Sequence, residues 1–266
     1  IPWIEAWGIG YTIGIDGISI LMVLLTTFVT PLAILGSYTY IQRNQRAYYA
    51  MLLLLLAAMI GVFVSLDLFL FFLFWELPLI PTFFLISLWG VGPHRRYAAV
   101  KYTLMMLAGG VPLLFGFLLL AFNHASLSGT GVPAGLVFDY PTLLNETLPA
   151  DLQAAVFFLL LLGFAVKAPV FPLHTWLPTV AMEGPASIAA IMTGLKLGAY
   201  GLIRFTVPLA PDAAQHYHWL LAGLGVVGVL GDIPARVDLL ADRHVGAVEA
   251  VVDADGRRGG PRAPAN

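Results

Sequence analysis

Cysteine is missing altogether from the 266 residues of this chain. That excludes disulfide staples and any zinc or iron–sulfur cluster ligated by cysteine. Charge is nearly as scarce. Asp, Glu, Lys and Arg make up 11% of the residues, against about 25% in an ordinary soluble domain. The net charge is only −2, which gives no basis for a nucleic-acid partner. The short alternating segments of a membrane β-barrel are lacking too; the apolar runs are long and continuous. No signal peptide opens the chain, and its first residue is Ile1 rather than Met, which predicts a fragment without its true start.

What fills the chain is hydrophobic: 59% of its residues, for a mean hydropathy of +0.88. The expected fold class is all-α, a polytopic transmembrane helical bundle with a broken helix. Six full spans of about 20 residues and one partial span are expected. They run Asp16–Tyr38, Ala47–Leu66, Leu68–Trp89, Tyr97–Phe122, Leu152–Leu173, Pro185–Pro208 and, in part, His218–Leu230. The connecting segments alternate in charge. Arg43 and Arg46 follow the first span, and Arg95, Arg96 and Lys101 follow the third. Asp139, Glu146 and Asp151 follow the fourth, and Asp212 the sixth. Basic segments stay in the cytoplasm, so the N-terminus is expected outside.

The pattern ends at Gly231. From there to Asn266 the chain carries 11 of its 28 charged residues and no apolar run long enough to span. Residues 1–230 therefore form the expected membrane region, and 231–266 a polar tail expected to be disordered. Its Ala/Arg/Asp/Gly/Val bias is that of GC-rich DNA read out of frame, which would make the chain an inert product of a damaged gene.

Three charged side chains lie where hydrocarbon is expected. Glu76 follows Leu68 by eight positions, about 12 Å into the membrane at 1.5 Å per residue. Pro78 and Pro81 follow it and are expected to kink the helix. Lys167 and Lys196 lie in the stretch Gly163–Phe205, which Pro169, Pro172, Pro178 and Pro185 interrupt. A lysine at the bilayer centre costs about 2.5–3.5 kcal/mol on insertion scales. A broken helix in turn exposes backbone groups that lipid cannot satisfy. Together these features indicate a polar path inside the bundle. Groups whose charged forms are disfavoured by burial exchange protons near physiological pH. Glu76 and Lys167 are expected to face each other across neighbouring helices. At ~8 Å and an effective dielectric of ~20, their coupling is about 2 kcal/mol.

Each of these residues has a plainer alternative. Glu76 could be a neutral packing residue, and Lys167 could extend to the headgroups. Lys196 is too central for that. Lys101, at the cytoplasmic start of the fourth span, is either an interfacial anchor or an internal participant. His174, after the broken helix, is either structural or a relay to the cytoplasmic side. Arg204 is expected at the outer interface. His216 and His218 share no helical face, so no metal site is expected. Gly223–Gly228 matches G-x-G-x-x-G, but it lies in a membrane-like run with no strand before it, which rules out a dinucleotide loop.

Four stretches resemble one family. They are IDGIS (Ile15–Ser19), LFFLFWELPLIPTFFLISLWG (Leu70–Gly90), FAVKAPVFPLHTWLP (Phe164–Pro178) and GLKLGAYGLIRF (Gly194–Phe205). They resemble subunit M, or chain 4, of NADH:quinone oxidoreductase (respiratory complex I), and more broadly the multisubunit sodium/proton antiporters. The resemblance implies part of a fourteen-helix antiporter-like subunit in the bacterial inner membrane, with two helices before Ile1. It also implies proton transfer through Glu76, Lys167 and Lys196 on a hydrated axis, coupled to quinone reduction elsewhere in the complex. Lys101 and His174 are secondary candidates. NADH, FMN, iron–sulfur clusters and quinone would belong to other subunits, so no cofactor or metal is expected in this chain. Its partners would be other membrane subunits and lipid. The chain departs from the family after Pro178. An acidic residue and, two positions on, a histidine are usual there, and this chain has Thr179 and Ala181.

Overall fold

In the computed structural model, residues 1–194 and 196–228 are described. The proposed tail 231–266 and the last two residues of the seventh expected span lie outside them. The chain opens on a short antiparallel hairpin, β1 (Pro2–Ile4) and β2 (Ile9–Gly10), which the sequence reading left unassigned. Antiparallel spans follow: α1 (Gly17–Ser37), α2 (Gln45–Val64), then α3 (Leu68–Glu76) and α4 (Leu79–Trp89), which share one span. The long α5 (Arg95–Ser128) returns, a short α6 (Tyr140–Leu144) turns the chain, and α7 (Ala150–Lys167) re-enters. A non-helical stretch leads to α8 (Trp176–Glu183), where the sequence had suggested only a loop. The sixth span consists of α9 (Ala186–Gly194), α10 (Leu197–Gly201), a π-helical turn (Leu202–Thr206) and α11 (Val207–Leu209). After α12 (Pro211–His216) comes an apolar helix, α13 (His218–Gly228), which from Trp219 onward belongs to a separate compact unit.

Six helical segments are long and apolar enough to cross a membrane, and together they define a multi-pass membrane protein. Much of their apolar surface faces outward: Leu21, Leu24, Phe28 and Leu35 on α1, and Leu104, Val111 and Phe115 on α5, are all exposed. Contiguous apolar faces of this kind call for lipid or other apolar helices around them.

The two ends of the bundle differ in chemistry. One end gathers carboxylates as helix caps. Asp16 Oδ1 accepts from Ser19 N, and Asp139 Oδ2 accepts from Thr142 N. The buried Asp67 caps α3 through Phe69 N and Leu70 N and also takes Gly10 N from the hairpin, each at 2.9 Å. Burial pushes the Asp67 carboxyl above the usual range, and the three backbone donors oppose that. The other end is basic and tied by backbone contacts. Trp89 Nε1 donates to Arg43 O at 2.8 Å, and His94 N donates to Glu183 Oε2 at 2.7 Å. Arg204 lies at the acidic end, as expected, but is turned inward. Its guanidinium pairs with Asp16 and lies over the Tyr140 ring, while the Tyr140 hydroxyl donates to Arg204 O.

The tightest helix pair is α5 against α7. A Cβ at Gly163 would meet Leu113 Cβ at 2.7 Å and Gly109 O at 3.0 Å, so the backbones touch where two glycines face each other. Nothing lies within 4 Å of a Cβ built at Gly36 on α1. We predict that Gly163→Leu destabilises the subunit by about 1–3 kcal/mol through overpacking. Gly36→Leu should leave stability unchanged. Thermal unfolding in detergent compares the two, and equal melting temperatures would contradict the packing described.

Candidate functional site

The third span breaks at one point. Pro78 has no N–H to continue the helix, so α3 ends at Glu76 and α4 starts at Leu79. Pro81, expected to add a second kink, sits inside the first turn of α4 without breaking it. The break frees backbone carbonyls at membrane depth, which must find partners within the protein. Lys167 Nζ donates to the freed Trp75 O at 2.6 Å and lies 3.9 Å from the centre of the Trp75 ring.

Lys167 is also at a helix end. α7 stops there, ahead of Ala168 and Pro169, six residues short of the expected boundary at Leu173. Its last carbonyls are taken up locally. Val170 N donates to Ala165 O at 3.0 Å, and Trp176 Nε1 reaches back to Val166 O at 2.9 Å. An ammonium in the last turn also suits the negative end of the helix dipole. Lys167 therefore joins two broken helices through one carbonyl.

Glu76 precedes the break on the other side. Its carboxyl packs against the Cα of Gly110 on α5, in the space a side chain there would occupy. One oxygen, Oε2, is buried without a hydrogen-bond partner. Glu76 also edges an outward-open groove of about 700 Å³ between α3, α4 and α5, lined, apart from Thr103, by apolar residues such as Phe72, Phe83, Leu107 and Leu114. Glu76 and Lys167 are near enough for their charges to act on each other. They make no direct ion pair; among the described residues the ion pairs are His124–Glu146 and Arg204–Asp16.

A second break lies in the sixth span. Lys196 was expected within a continuous helix. It instead has φ −92° and ψ 61° ahead of α10, and its side chain is exposed. The two breaks meet through their backbones. A Cβ at Gly198 would lie 2.6 Å from Phe164 O and 2.7 Å from Ala168 Cα. The structure thus brings the Lys196 segment against the end of α7, without a contact from the Lys196 ammonium to Glu76 or Lys167.

Lys101 is half-buried and makes contacts that suit either of its expected roles. Its Nζ donates to Thr175 O at 2.8 Å and to Thr179 Oγ1 at 3.1 Å, tying α5 to the start of α8. Thr179 is the position where the resembled family usually has an acid, so here a neutral hydroxyl receives the lysine. The His174 ring lies tilted beside Phe171, with ring centres 5.6 Å apart, and its Nδ1 is buried without a partner. Among the described residues no group of three His, Asp or Glu side chains could hold a metal ion. The Trp75 carbonyl and Gly110 escaped the sequence reading, because neither carries a chemical signature along the chain.

These features define a helical membrane protein with charged groups at paired helix breaks. The NADH:quinone oxidoreductase/Mrp antiporter transmembrane family model matches residues 65–233, and the model for the amino terminus of NADH-ubiquinone oxidoreductase chain 4 matches residues 2–62. The chain belongs to the NADH:quinone oxidoreductase/Mrp antiporter family. It is 42% identical over 230 residues to NAD(P)H-quinone oxidoreductase chain 4 3 of Picosynechococcus, covering 86% of this chain and 40% of that relative. It is 38% identical over 234 residues to NADH-quinone oxidoreductase subunit M of Escherichia coli, covering 86% and 45%. A chain of respiratory complex I from Thermus thermophilus with bound NADH superposes with a TM-score of 0.67 at 32% identity, covering 83% of this chain and 44% of that one. The chain thus spans less than half the length of these relatives.

The lysine clamp gives a local prediction. Lys101→Met should cost about 1 kcal/mol and speed amide exchange at Ala168–Thr175 by roughly fivefold. Thr179→Asp should slow that exchange by giving Lys101 a charged partner. Unchanged exchange in both variants, measured by mass spectrometry, would contradict the clamp.

Proposed function

We propose that this chain acts as a proton-translocating membrane subunit of NADH:quinone oxidoreductase, with quinone reduction elsewhere in the complex driving protonation changes along Glu76, Lys167 and Lys196. One observation carries the reading: Glu76 holds a buried, unpaired carboxyl oxygen one residue from the carbonyl that binds the Lys167 ammonium. Neither charge is locked in a closed ion pair, so each stays free to exchange its proton. Trp75 O and the Trp75 ring hold the proton at Lys167 Nζ. A negative Glu76 favours that state, and loss of the charge on Glu76 favours release. Lys101 and His174 connect this pair to the basic end, which we assign to the cytoplasm.

In this reading NADH, FMN, iron–sulfur clusters and quinone are bound by other subunits, and the chain has no cysteine with which to ligate a cluster. Neighbouring membrane subunits and lipid cover its exposed apolar faces. The membrane would be the bacterial inner membrane. The family model also covers multisubunit Mrp antiporters, so a sodium/proton antiporter subunit is the second reading.

The test places Glu76→Gln and Lys167→Met in the full-length subunit of an assembled complex. Pumping per electron should fall sharply, while assembly and NADH oxidation persist, because neither variant leaves an exchangeable proton at its position. Normal pumping in both assembled variants would defeat the reading. Sodium-dependent transport without redox activity would favour the antiporter instead. The orientation has its own test. A cysteine at Asp139 should react with an impermeant thiol reagent from outside and one at Arg95 should not; the reverse pattern would invert the assignment.

A further inference from the structure

At the basic end of the bundle three arginines converge on one pocket of about 180 Å³. Its lining includes Arg43 from the α1–α2 connection, Ser87, Leu88 and Trp89 from the end of α4, and Arg95 and Arg96 from the start of α5. The fold holds them there. Trp89 Nε1 donates to Arg43 O at 2.8 Å. Arg95 Nη1 donates to Gly90 O at 3.2 Å, which uses one of the five N–H groups of its guanidinium. α5 also begins here with no side chain capping it, so the positive end of its dipole adds to the same field. Among the described residues no ion pair includes these arginines. The nearby Glu183 accepts from His94 N and does not line the pocket.

The pocket and the groove beside Glu76 lie on the same helix faces. On α4, Ser87 and Leu88 come one turn after the groove residues Phe83 and Phe84. On α5, Arg96 comes two turns before Thr103, which also lines the groove, and Val100 between them is exposed. Residues four or seven apart share a face. Pocket and groove therefore occupy one seam, between α4 and α5. From Leu88 back to Leu79 the seam runs about 14 Å at 1.5 Å per residue. That is close to half of a ~30 Å hydrocarbon core, the depth of one leaflet.

We propose that this seam binds an anionic phospholipid, its phosphodiester among Arg43, Arg95 and Arg96 and one acyl chain along the groove toward Glu76. The proposal is independent of the proton-translocating reading. The chemistry of the two parts selects the occupant. A guanidinium fork matches the paired oxygens of a phosphate. A free phosphate would leave the apolar groove empty. A helix of a neighbouring subunit would fill the groove but carries no phosphate for the arginines. A zwitterionic lipid brings its own ammonium, which offsets the attraction. Basic segments also lie at the leaflet whose anionic lipids attract arginine, and Trp89 suits the headgroup level.

Photolabelling of the assembled complex in nanodiscs tests this, with phosphatidylglycerol carrying a diazirine on its acyl chain. Irradiation should label Ile80, Phe84, Leu107 and Val111, which are exposed along the groove. Phosphatidylcholine with the same tail should label them far less, because each arginine near an anionic surface is worth about a fivefold preference. Arg43→Gln, Arg95→Gln and Arg96→Gln should each cut that preference about fivefold. Any label at the exposed Leu24 and Phe28 of α1 should show no preference. Equal labelling of the groove by the two lipids would overturn the proposal. So would an unlabelled groove, which would show that another subunit fills it. Displacement by inorganic phosphate, but not by chloride at equal ionic strength, would overturn it in favour of a free-anion site. If the glutamine variants do not assemble, Leu107→Trp, which fills the groove and leaves the arginines alone, decides. Loss of the phosphatidylglycerol preference at Ile80 and Phe84 supports the proposal, and a wild-type preference overturns it.

Discussion

A carbonyl exposed inside a membrane has no water to turn to, and the rest of this structure follows from how one such carbonyl is satisfied. Pro78 interrupts the third span, Trp75 O loses its helical donor, and the Lys167 ammonium takes the donor's place at 2.6 Å. The contact solves two problems together. An orphaned buried carbonyl costs about 1–3 kcal/mol. A lysine at membrane depth costs about 2.5–3.5 kcal/mol on insertion scales. Each group reduces the other's cost, and the Trp75 ring adds its negative face. The charge is thereby held where a neighbouring carboxyl can influence it, without the closed salt bridge that would fix its protonation.

Much around this contact serves to keep two interrupted helices in register. Gly109 and Gly163 let α5 and α7 touch, and Gly198 lets the second break rest on Ala168, immediately after Lys167. Lys101 fastens the non-helical stretch by Thr175 O, and Trp176 Nε1 closes Val166 O from the other side. At the acidic end, Asp67 and the Arg204–Asp16 pair join segments far apart in sequence. The breaks are therefore fixed points in a firmly tied frame.

The spans were legible because hydropathy is a local property, and the place of Glu76 within the third span follows from counting residues after Leu68. The alternation of basic and acidic segments reappears as two chemically distinct bundle ends. The helix interruptions were legible only where proline marks them. Pro169 was read as an interruption, yet the span was drawn on to Leu173, and the break at Lys196 has no proline nearby, only Gly194 and Gly198 on either side, a weaker signal that a continuous helix also tolerates. Partners across the bundle were illegible for a different reason. The carbonyl that receives Lys167 belongs to a residue 92 positions away, and a backbone oxygen leaves no mark in a sequence. Thr179 looked like a mere departure from the family pattern until the Lys101 ammonium was found upon it.

In the function we propose, the break at Pro78 is what positions Lys167 to exchange its proton. Pro78→Ala restores the N–H that Phe74 O lacks and removes the ring that keeps the helix open, so that it can close through Leu77 and bring Leu79 N onto Trp75 O in place of the lysine. The proton-to-electron ratio of an assembled complex carrying this one change is the most direct measurement. The ratio should fall while assembly and NADH oxidation persist. A wild-type ratio in the repaired helix would contradict it.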